Sequence, residues 1–197
     1  VHLEPDGGLA RLDVRQPGGA AAAVADMMVR LALGTQTGSS TIRPASFCGV
    51  AGYKPTIGHF SYAGVKLLAR SLDTLGAMAR EVADFALLRT VLTEARAEIV
   101  PRSSPPTLAI CRTPWWESAD AASRDSLEKA AAAFVNAGAE VQEVVLPDQF
   151  AGLERANKTI MMYEGRRALA HEYNMHENKL SERLKMQMAS GAVTDYD

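Results

Sequence analysis

The chain has 197 residues, a formal net charge of −2 and 47% hydrophobic residues, a composition typical of a globular protein. Its 21 basic residues are scattered along the sequence, which argues against a binding surface for nucleic acid or an anionic membrane. It has no apolar run near the roughly 20 residues that span a bilayer, and two cysteines are too few for a disulfide framework. We therefore expect a reduced, cytoplasmic chain with no nucleic-acid or membrane partner.

The first third of the chain alternates between loops and short elements. Residues 1–19 are rich in Gly, Pro and Asp and are predicted to be irregular. Residues 20–28 are rich in alanine and are predicted to form a helix. Residues 31–33, closed by Gly34, predict a short buried strand. Residues 35–66 contain many Pro and Gly residues and are expected to be mostly loop with short elements.

The middle of the chain predicts a strand, a helix, a linker and a second strand. Residues 71–80 predict a turn and a short strand, and residues 81–92 have the period of an amphipathic helix. The apolar face of that helix is predicted to comprise Val82, Phe85, Leu88, Val91 and Leu92. The segment PRSSPP, residues 101–106, predicts a linker, and Thr107–Cys111 predicts a buried strand.

The last part of the chain is predicted to be mainly helical. Residues 119–136 predict a helix that ends before a capping Gly138. Its apolar face is predicted to comprise Leu127, Ala130, Ala131, Phe134 and Val135. Residues 140–146 alternate like a strand, and residues 150–188 are mainly helical with a break over the polar residues 171–179. This alternation of strands and helices indicates an α/β fold.

The stretch GTQTGSSTIRP, residues 34–44, is the part most suited to chemistry. Small residues after a buried strand let backbone N–H groups point into one concavity, which can bind an anion or a developing oxyanion. Ser40 would lie beside those donors, as an acyl-transfer nucleophile must. Taken alone, the stretch is more commonly an ordinary turn. It lacks the lysine and the spacing of a phosphate loop.

Two blocks of sequence together resemble the amidase signature family. They are LALGTQTGSSTIRPASFCGVAGYKPTIG and GVKLLARSLDTLGAMAREVADFALLRTVL, in the family's order and at its separation. The resemblance is specific over residues 21–92 and looser to about residue 190. It implies amide hydrolases and related amidotransferase subunits that share a mixed β-sheet core covered by helices. We expect a partial domain of this kind over residues 20–197, incomplete at both ends.

The resemblance also implies roles for residues of the turn. It places the nucleophile at Ser40 and the oxyanion hole at the backbone N–H groups of Thr37, Gly38 and Ser39. Ser39 replaces a glycine of the family, which would cost of order 1 kcal/mol if its φ were positive. The implied mechanism acts on a small-molecule amide and needs no metal or organic cofactor.

The rest of the implied triad is missing from this chain. The family's cis-serine falls on Gln16 or in a deletion, no serine precedes Ser39, and there is no room for the family's upstream lysine. The resemblance therefore predicts an amidase that cleaves a carboxamide through a serine acyl-enzyme but is impaired here. The alternatives are a non-catalytic truncated fragment or pseudoenzyme that keeps the scaffold, and an amidotransferase-type subunit. Whether the chain is an enzyme stays open.

Five other residues are assigned structural or functional roles from the sequence. Arg43 is predicted either to bind a substrate carboxylate or to pair with an acid such as Asp73. Gln36 is predicted to tie the loop together, with a substrate contact as the alternative. Cys48 is predicted to be a core residue, and Asp73 a structural hydrogen-bonding acid. Lys54 is interpreted as a scaffold residue rather than a replacement for the absent lysine.

The remaining polar and aromatic side chains predict no further chemistry. No metal site is expected, because His59, His171 and His176 lack metal-binding spacing and are predicted to lie at the surface. Trp115 and Trp116 are predicted to pack in a core or an interface, with a pocket wall as the alternative. Since the family resemblance implies missing covers, we expect exposed apolar surface and association between copies of the chain.

Overall fold

The computed structural model describes residues 17–93 and 104–191, so the predictions for residues 1–16 and 101–103 lie outside the described residues. The described residues form two compact units. Unit 1 comprises residues 17–93 and 156–191, and unit 2 comprises residues 104–155.

Unit 1 begins with helix α1, Pro17–Ala25. The predicted irregular segment 1–19 is therefore wrong for residues 17–19, because a proline fits the first turn of a helix, where its missing N–H needs no partner. The helix also ends before the predicted residue 28, and Met27 adopts a left-handed φ of 60° just beyond it. Ala21 and Val24 are fully buried, so one side of this alanine-rich helix anchors it to the core.

A three-stranded antiparallel sheet forms the centre of unit 1. Its strands are β1, Leu31–Gln36, β2, Ala51–Tyr53, and β3, Thr74–Ala79, in the order β1-β3-β2. All six residues of β3 are buried, because β3 is the middle strand and has neighbours along both edges.

Strand β1 is longer than predicted because Gly34 continues the strand instead of ending it. Gly34 pairs with Gly76 of β3. A Cβ atom on Gly76 would lie 2.5 Å from the backbone oxygen of Tyr53, so this close approach of three backbones requires glycine. The extension carries β1 to Gln36 and therefore sets where the following turn begins.

Two helices pack beside this sheet. Helix α2 is Ile42–Phe47 and helix α3 is Asp84–Thr93. Phe85 and Leu88 of α3 are buried as predicted, but Val82 and Val91 are each 67% exposed. Val82 precedes the helix, and Val91 lies to the side of the stripe that faces the sheet, since successive residues are rotated by about 100°.

Two clusters of buried side chains form the core of unit 1. One joins α1, β1, α2 and β3 and contains Ala20, Ala21, Val24, Ala32, Ala45 and Met78. The other lies under α3 and contains Phe60, Leu75, Ala77, Ala79, Phe85 and Leu88. The small side chains let the helices approach the sheet closely, and Phe60, Met78 and Phe85 are among the largest side chains of the core.

Unit 2 is a βαβ arrangement. Strand β4, Thr107–Cys111, pairs in parallel with strand β5, Glu140–Val144, and helix α4, Ala121–Asn136, connects them. The predicted bounds of β4 are confirmed, and Gly138 follows α4 with a φ of 89°, as a C-terminal cap requires. The predicted burial of β4 is wrong, because none of residues 104–155 is buried.

Helix α4 begins at a side-chain cap. Asp120 accepts a hydrogen bond from the backbone N–H of Ser123 at 2.6 Å, and this bond lowers the pKa of Asp120. The predicted apolar face of α4 stays exposed, with Phe134 51% and Val135 54% accessible. The period of the sequence identifies an apolar face, but it does not supply the surface that would cover it.

Three further helices follow strand β5. They are α5, Leu153–Ala168, α6, Ala170–His176, and α7, Glu182–Ser190. The predicted break over residues 171–179 is wrong, since these residues are helical in α6 and in the 3-10 turn Glu177–Lys179. The observed break after that turn lies at Leu180, which is extended with a ψ of 143°.

Candidate active site

The turn between β1 and α2 holds the predicted nucleophile. Strand β1 ends at Gln36 and α2 begins at Ile42, so Thr37, Gly38, Ser39 and Ser40 are presented outside both elements. Ser40 is half-buried, whereas Gly38 and Ser39 are exposed. A hydroxyl at the edge of the core, next to an open backbone turn, can meet a ligand from solvent.

Gln36 fixes the C-terminal end of this turn, where helix α2 begins. Its side chain is 8% exposed, and its Oε1 accepts hydrogen bonds from the backbone N–H groups of Thr41 and Ile42, each at 3.0 Å. The first N–H groups of a helix have no partner within the helix, so a buried side-chain acceptor is the natural way to satisfy them. The prediction that Gln36 ties the loop together is confirmed by these bonds. Its alternative role in substrate binding stays a prediction.

Asp73 fixes the N-terminal end of the turn, at Thr37. This carboxylate is 1% exposed and its Oδ1 accepts a hydrogen bond from the hydroxyl of Thr37. Its Oδ2 accepts the backbone N–H groups of Leu68 at 2.6 Å and Ala69 at 3.1 Å. A buried carboxylate is stable only when its oxygens are satisfied, so these three donors confirm the prediction of a structural acid.

Arg43 does not pair with Asp73. Arg43 is exposed and forms no ion pair with any described residue, while the carboxylate of Asp73 bonds to neutral donors. The interpretation of Arg43 as a partner of Asp73 is therefore wrong. Its other interpretation, binding of a substrate carboxylate, stays a prediction.

The backbone donors of the turn are unoccupied. Within the described residues, the N–H groups of Gly38, Ser39 and Ser40 donate to no protein acceptor. Ser39 does not lie in the left-handed region, which among described non-glycine residues contains Met27. The strain considered for a serine in place of glycine is therefore absent, and the turn offers free donors without a backbone cost.

The side chains that could assist Ser40 are few. Lys54 is exposed, and its Nζ donates to the backbone oxygen of Pro55 at 3.0 Å, a local scaffold contact. Cys48 is half-buried against the core cluster around α1, as predicted. Gln16, which the family resemblance aligns with the cis-serine if there is no deletion, lies outside the described residues. Among the described residues, no lysine is hydrogen-bonded to Ser40.

The predictions for the histidines and the two tryptophans have different outcomes. His59, His171 and His176 are exposed, as expected, and no cluster of three or more His, Cys, Asp or Glu side chains among the described residues is arranged to hold a metal ion. Trp115 is 36% exposed, so the prediction that it packs in a core is wrong. Trp116 instead lies beneath the guanidinium groups of Arg112 and Arg124, at 5.7 and 6.0 Å from its ring centre.

Sequence reasoning missed Tyr62. Its hydroxyl donates to the backbone oxygen of Asp73 at 2.9 Å and accepts the N–H of Gly58 at 3.1 Å. The tyrosine therefore braces the segment that carries Asp73. No periodic signal marks such a contact, because it joins two irregular loops rather than two faces of regular elements.

The comparisons with known proteins identify the class of this fold. The family model described as Amidase matches residues 17–194, which is most of the chain. The chain therefore belongs to the amidase family.

Solved structures and curated sequences support this assignment. A crystal structure described as an amidase has a TM-score of 0.80 at 27% identity and covers 90% of this chain and 40% of that one. The native peptide amidase from Stenotrophomonas maltophilia has a TM-score of 0.63 at 33% identity and covers 81% of this chain and 36% of that one. A glutamyl-tRNA(Gln) amidotransferase subunit from Clostridium botulinum strain Kyoto is 36% identical over 154 residues, 71% of this chain and 32% of the relative.

The chain spans only part of each of these proteins. The corresponding subunit from Anaeromyxobacter sp. strain K is 52% identical over 84 residues, which is 42% of this chain and 17% of the relative. The chain thus covers about a third or less of these curated relatives and about two fifths of the solved amidases. No helix among residues 17–93 and 104–191 is long and apolar enough to cross a membrane.

Proposed function

We propose that this chain carries the nucleophile and the oxyanion hole of an amide hydrolase, with Ser40 as the nucleophile. One observation carries the proposal. The turn is held at its two ends by buried Gln36 and Asp73, while the N–H groups of Gly38, Ser39 and Ser40 stay unoccupied. Fixed, unoccupied donors beside a hydroxyl are what a tetrahedral acyl-transfer intermediate requires.

The reaction follows from this arrangement. The Oγ of Ser40 attacks the amide carbon and forms a C–O bond, while the carbonyl π electrons move to the oxygen, which the turn N–H groups stabilise. The C–N bond then breaks, and the proton lost by Ser40 is delivered to the departing amine. Water hydrolyses the resulting ester and restores the Ser40 hydroxyl. Each oxyanion donor contributes about 10²–10³ in rate.

The proton transfers need a base, and among residues 17–93 and 104–191 no lysine side chain is hydrogen-bonded to Ser40. No serine precedes Ser39 and no lysine precedes Lys54, so the relay implied by the family resemblance is absent from these residues. We propose that the chain by itself is an impaired hydrolase. Serine hydrolases without their triad members retain only about 10³–10⁴ over the uncatalysed rate.

Two kinds of amide are the leading substrates. The solved neighbours include a peptide amidase at 33% identity, which favours a small amidated compound. The curated relatives are amidotransferase subunits, which favours glutamine as the amide and a multi-subunit complex as the second candidate function. The scattered basic residues offer no evident surface for RNA, so in this second case other subunits would hold the nucleic acid. We propose a cytoplasmic protein in either case.

An activated ester separates the nucleophile from the missing base. The leaving group of 4-nitrophenyl acetate departs without a proton, so Ser40 needs only the oxyanion donors and solvent to become acetylated. Peptide mapping should find the acetyl group on Ser40 in the folded chain. Ser40→Ala should lose it, and the matched control Ser39→Ala should retain it. Glutamine and an amidated dipeptide should be hydrolysed far more slowly than about 1 per second.

Two results would contradict the proposal. Acetylation spread over surface lysines, with none on Ser40, would show that Ser40 is not the nucleophile. Amide turnover at about 1 per second or faster that survives Ser40→Ala would show that another group does the chemistry.

A further inference from the structure

A second feature of unit 1 is a cavity of about 920 Å³ between the loop before β3 and helix α5. Its walls are mainly apolar, from Val65, Leu67 and Ala168, and its charged residues are Arg70, Glu164 and Arg167. Sites for small organic ligands commonly have volumes of about 300–1,000 Å³ and combine apolar walls with a few polar groups. The cavity has the size and composition of such a site.

The cavity walls are held in place by contacts on both sides of its apolar lining. Leu68 packs so tightly on Gly165 that a Cβ atom there would lie 3.1 Å from its Cδ1. Ser71 donates its N–H and its hydroxyl to the carboxylate of Glu164, at 2.9 and 2.5 Å. Lys66 forms an ion pair with Glu172 of α6. These contacts pre-form the walls, which reduces the ordering cost of binding.

The charge of the lining favours an anion. Both oxygens of Glu164 are occupied by Ser71. Arg167 stacks on Tyr163, with its guanidinium carbon 3.4 Å from the ring centre, and uses one N–H on the Tyr163 backbone oxygen. Arg70 is exposed and forms no ion pair with any described residue. Guanidinium groups with free N–H donors bind carboxylates in preference to cations or neutral amides.

The buried residue Asp73 hydrogen-bonds to the wall of the cavity and to the candidate active site. Leu68 and Tyr62 both line the cavity, and both donate to Asp73, through the Leu68 N–H and the Tyr62 hydroxyl. The same Asp73 accepts the hydroxyl of Thr37 at the start of the catalytic turn. Asp73 therefore contacts both a wall of the cavity and the turn that presents Ser40.

We propose that this cavity binds the carboxylate end of the amide substrate, so that the preferred substrates are amides with an apolar middle and a terminal carboxylate. The proposal rests on the proposed function for the reaction itself, but binding to the cavity does not require Ser40. It assigns the carboxylate to Arg70 and Arg167 and the apolar segment to Val65 and Leu67. Arg43 is the competing carboxylate site, and the test separates the two.

Two esters of equal chain length test this assignment. The mono-4-nitrophenyl ester of adipic acid differs from 4-nitrophenyl hexanoate by its terminal carboxylate. The adipate ester should acylate Ser40 at least about fivefold faster at low salt, the discrimination expected of a partly exposed ion pair. Arg70→Gln and Arg167→Gln should each bring the ratio close to one. Arg89→Gln, an exposed arginine on α3 outside the cavity, should leave it unchanged.

Three outcomes overturn the proposal. Equal acylation by the two esters would show that no carboxylate is recognised. A preference that disappears in Arg43→Gln but persists in Arg70→Gln and Arg167→Gln would place the carboxylate at Arg43. If neither ester acylates Ser40, the proposed function fails, and calorimetric titration of adipate into the Ser40→Ala chain decides the cavity alone. Binding weakened by Arg70→Gln supports it, and no detectable binding contradicts it.

Discussion

The turn of unit 1 that carries Ser40 and the βαβ arrangement of unit 2 are stabilised in different ways. In unit 1, polar side chains are buried together with the core, including Gln36, Thr41, Asp73 and Thr74. In unit 2, none of residues 104–155 is buried, and order comes from the Asp120 cap, the strand pair and exposed ion pairs. Buried polar anchors are costly unless fully bonded, so their concentration around the turn marks where this chain maintains a defined backbone geometry.

The two units also differ in whether their apolar faces are covered. The alternation in β1 places Ala32, Gly34 and Gln36 inward and ends with a polar anchor for the turn. The apolar side of α4 leaves Phe134 and Val135 more than half exposed. An uncovered face of this kind adds little to folding stability and favours association.

The largest expected effect comes from truncating the core of unit 1. Met78 is fully buried, so Met78→Ala should lower the free energy of unfolding by about 2–5 kcal/mol. Phe134→Ala in unit 2 should lower it by about 0.5 kcal/mol or less, because half of that side chain is already in water. Urea unfolding followed by far-UV circular dichroism measures both changes. The two tryptophans, Trp115 and Trp116, lie in unit 2, so their fluorescence reports that unit separately. Equal losses for the two variants would contradict the comparison.

A smaller effect is expected from removing a polar anchor. Asp73→Ala leaves the N–H groups of Leu68 and Ala69 without their acceptor, which should cost about 1–3 kcal/mol. It also frees Thr37, so acylation of Ser40 by 4-nitrophenyl acetate should fall further than the loss of folded protein explains. Thr37→Val should also slow acylation and should lower the free energy of unfolding by about 1–3 kcal/mol, because the buried Oδ1 of Asp73 loses its donor, and Thr37→Ser should restore both. Asp73→Ala with unchanged acylation of the folded fraction would show that the carboxylate does not position the turn.

Acid should affect unit 2 through its exposed carboxylates. The N–H of Ser123 lowers the pKa of Asp120 in the folded state, and the Arg112 hydrogen bond lowers the pKa of Glu143. A carboxyl group with a lowered folded pKa adds stability above its unfolded pKa and loses it as the pH falls through the folded value. The urea midpoint of the tryptophan signal should therefore decrease as the pH falls below about 4. Asp120→Asn, which still caps a helix, should weaken this dependence. An unchanged pH dependence in that variant would exclude Asp120 as its source.

The smallest effect is expected at Ser39. Because Ser39 does not lie in the left-handed region, Ser39→Gly should change the free energy of unfolding by only about 0.5 kcal/mol, slightly destabilising through the freer unfolded chain. The rate of Ser40 acylation should be unchanged, because glycine keeps the backbone N–H. Acylation about tenfold faster in Ser39→Gly would reveal a misplaced oxyanion donor and would contradict the geometry described for the turn.

The sequence predicted the regular elements better than the contacts that fix the site. The bounds of β4 are confirmed, and the turn after β1 lies where the family resemblance placed it. Gly34 misled the prediction of β1 because a glycine inside a strand has the same local signal as a glycine that ends one. The exposure of Val91 could not be predicted, since the period of a helix identifies its apolar face but not how wide a part of that face is covered. The partners of Asp73 join irregular loops, and no local pattern encodes such contacts.

The most direct test of the central claim is a crystal structure of this chain with an alkyl boronic acid, which becomes tetrahedral when a serine hydroxyl adds to it. The geometry described here predicts a bond from the Oγ of Ser40 to boron. It also predicts a boronate oxygen about 2.7–3.1 Å from the backbone nitrogen of Gly38, Ser39 or Ser40. A boronic acid bound to another residue, or an adduct on Ser40 whose oxygens all point away from those nitrogens, would contradict the assignment of this turn as the nucleophile and oxyanion site.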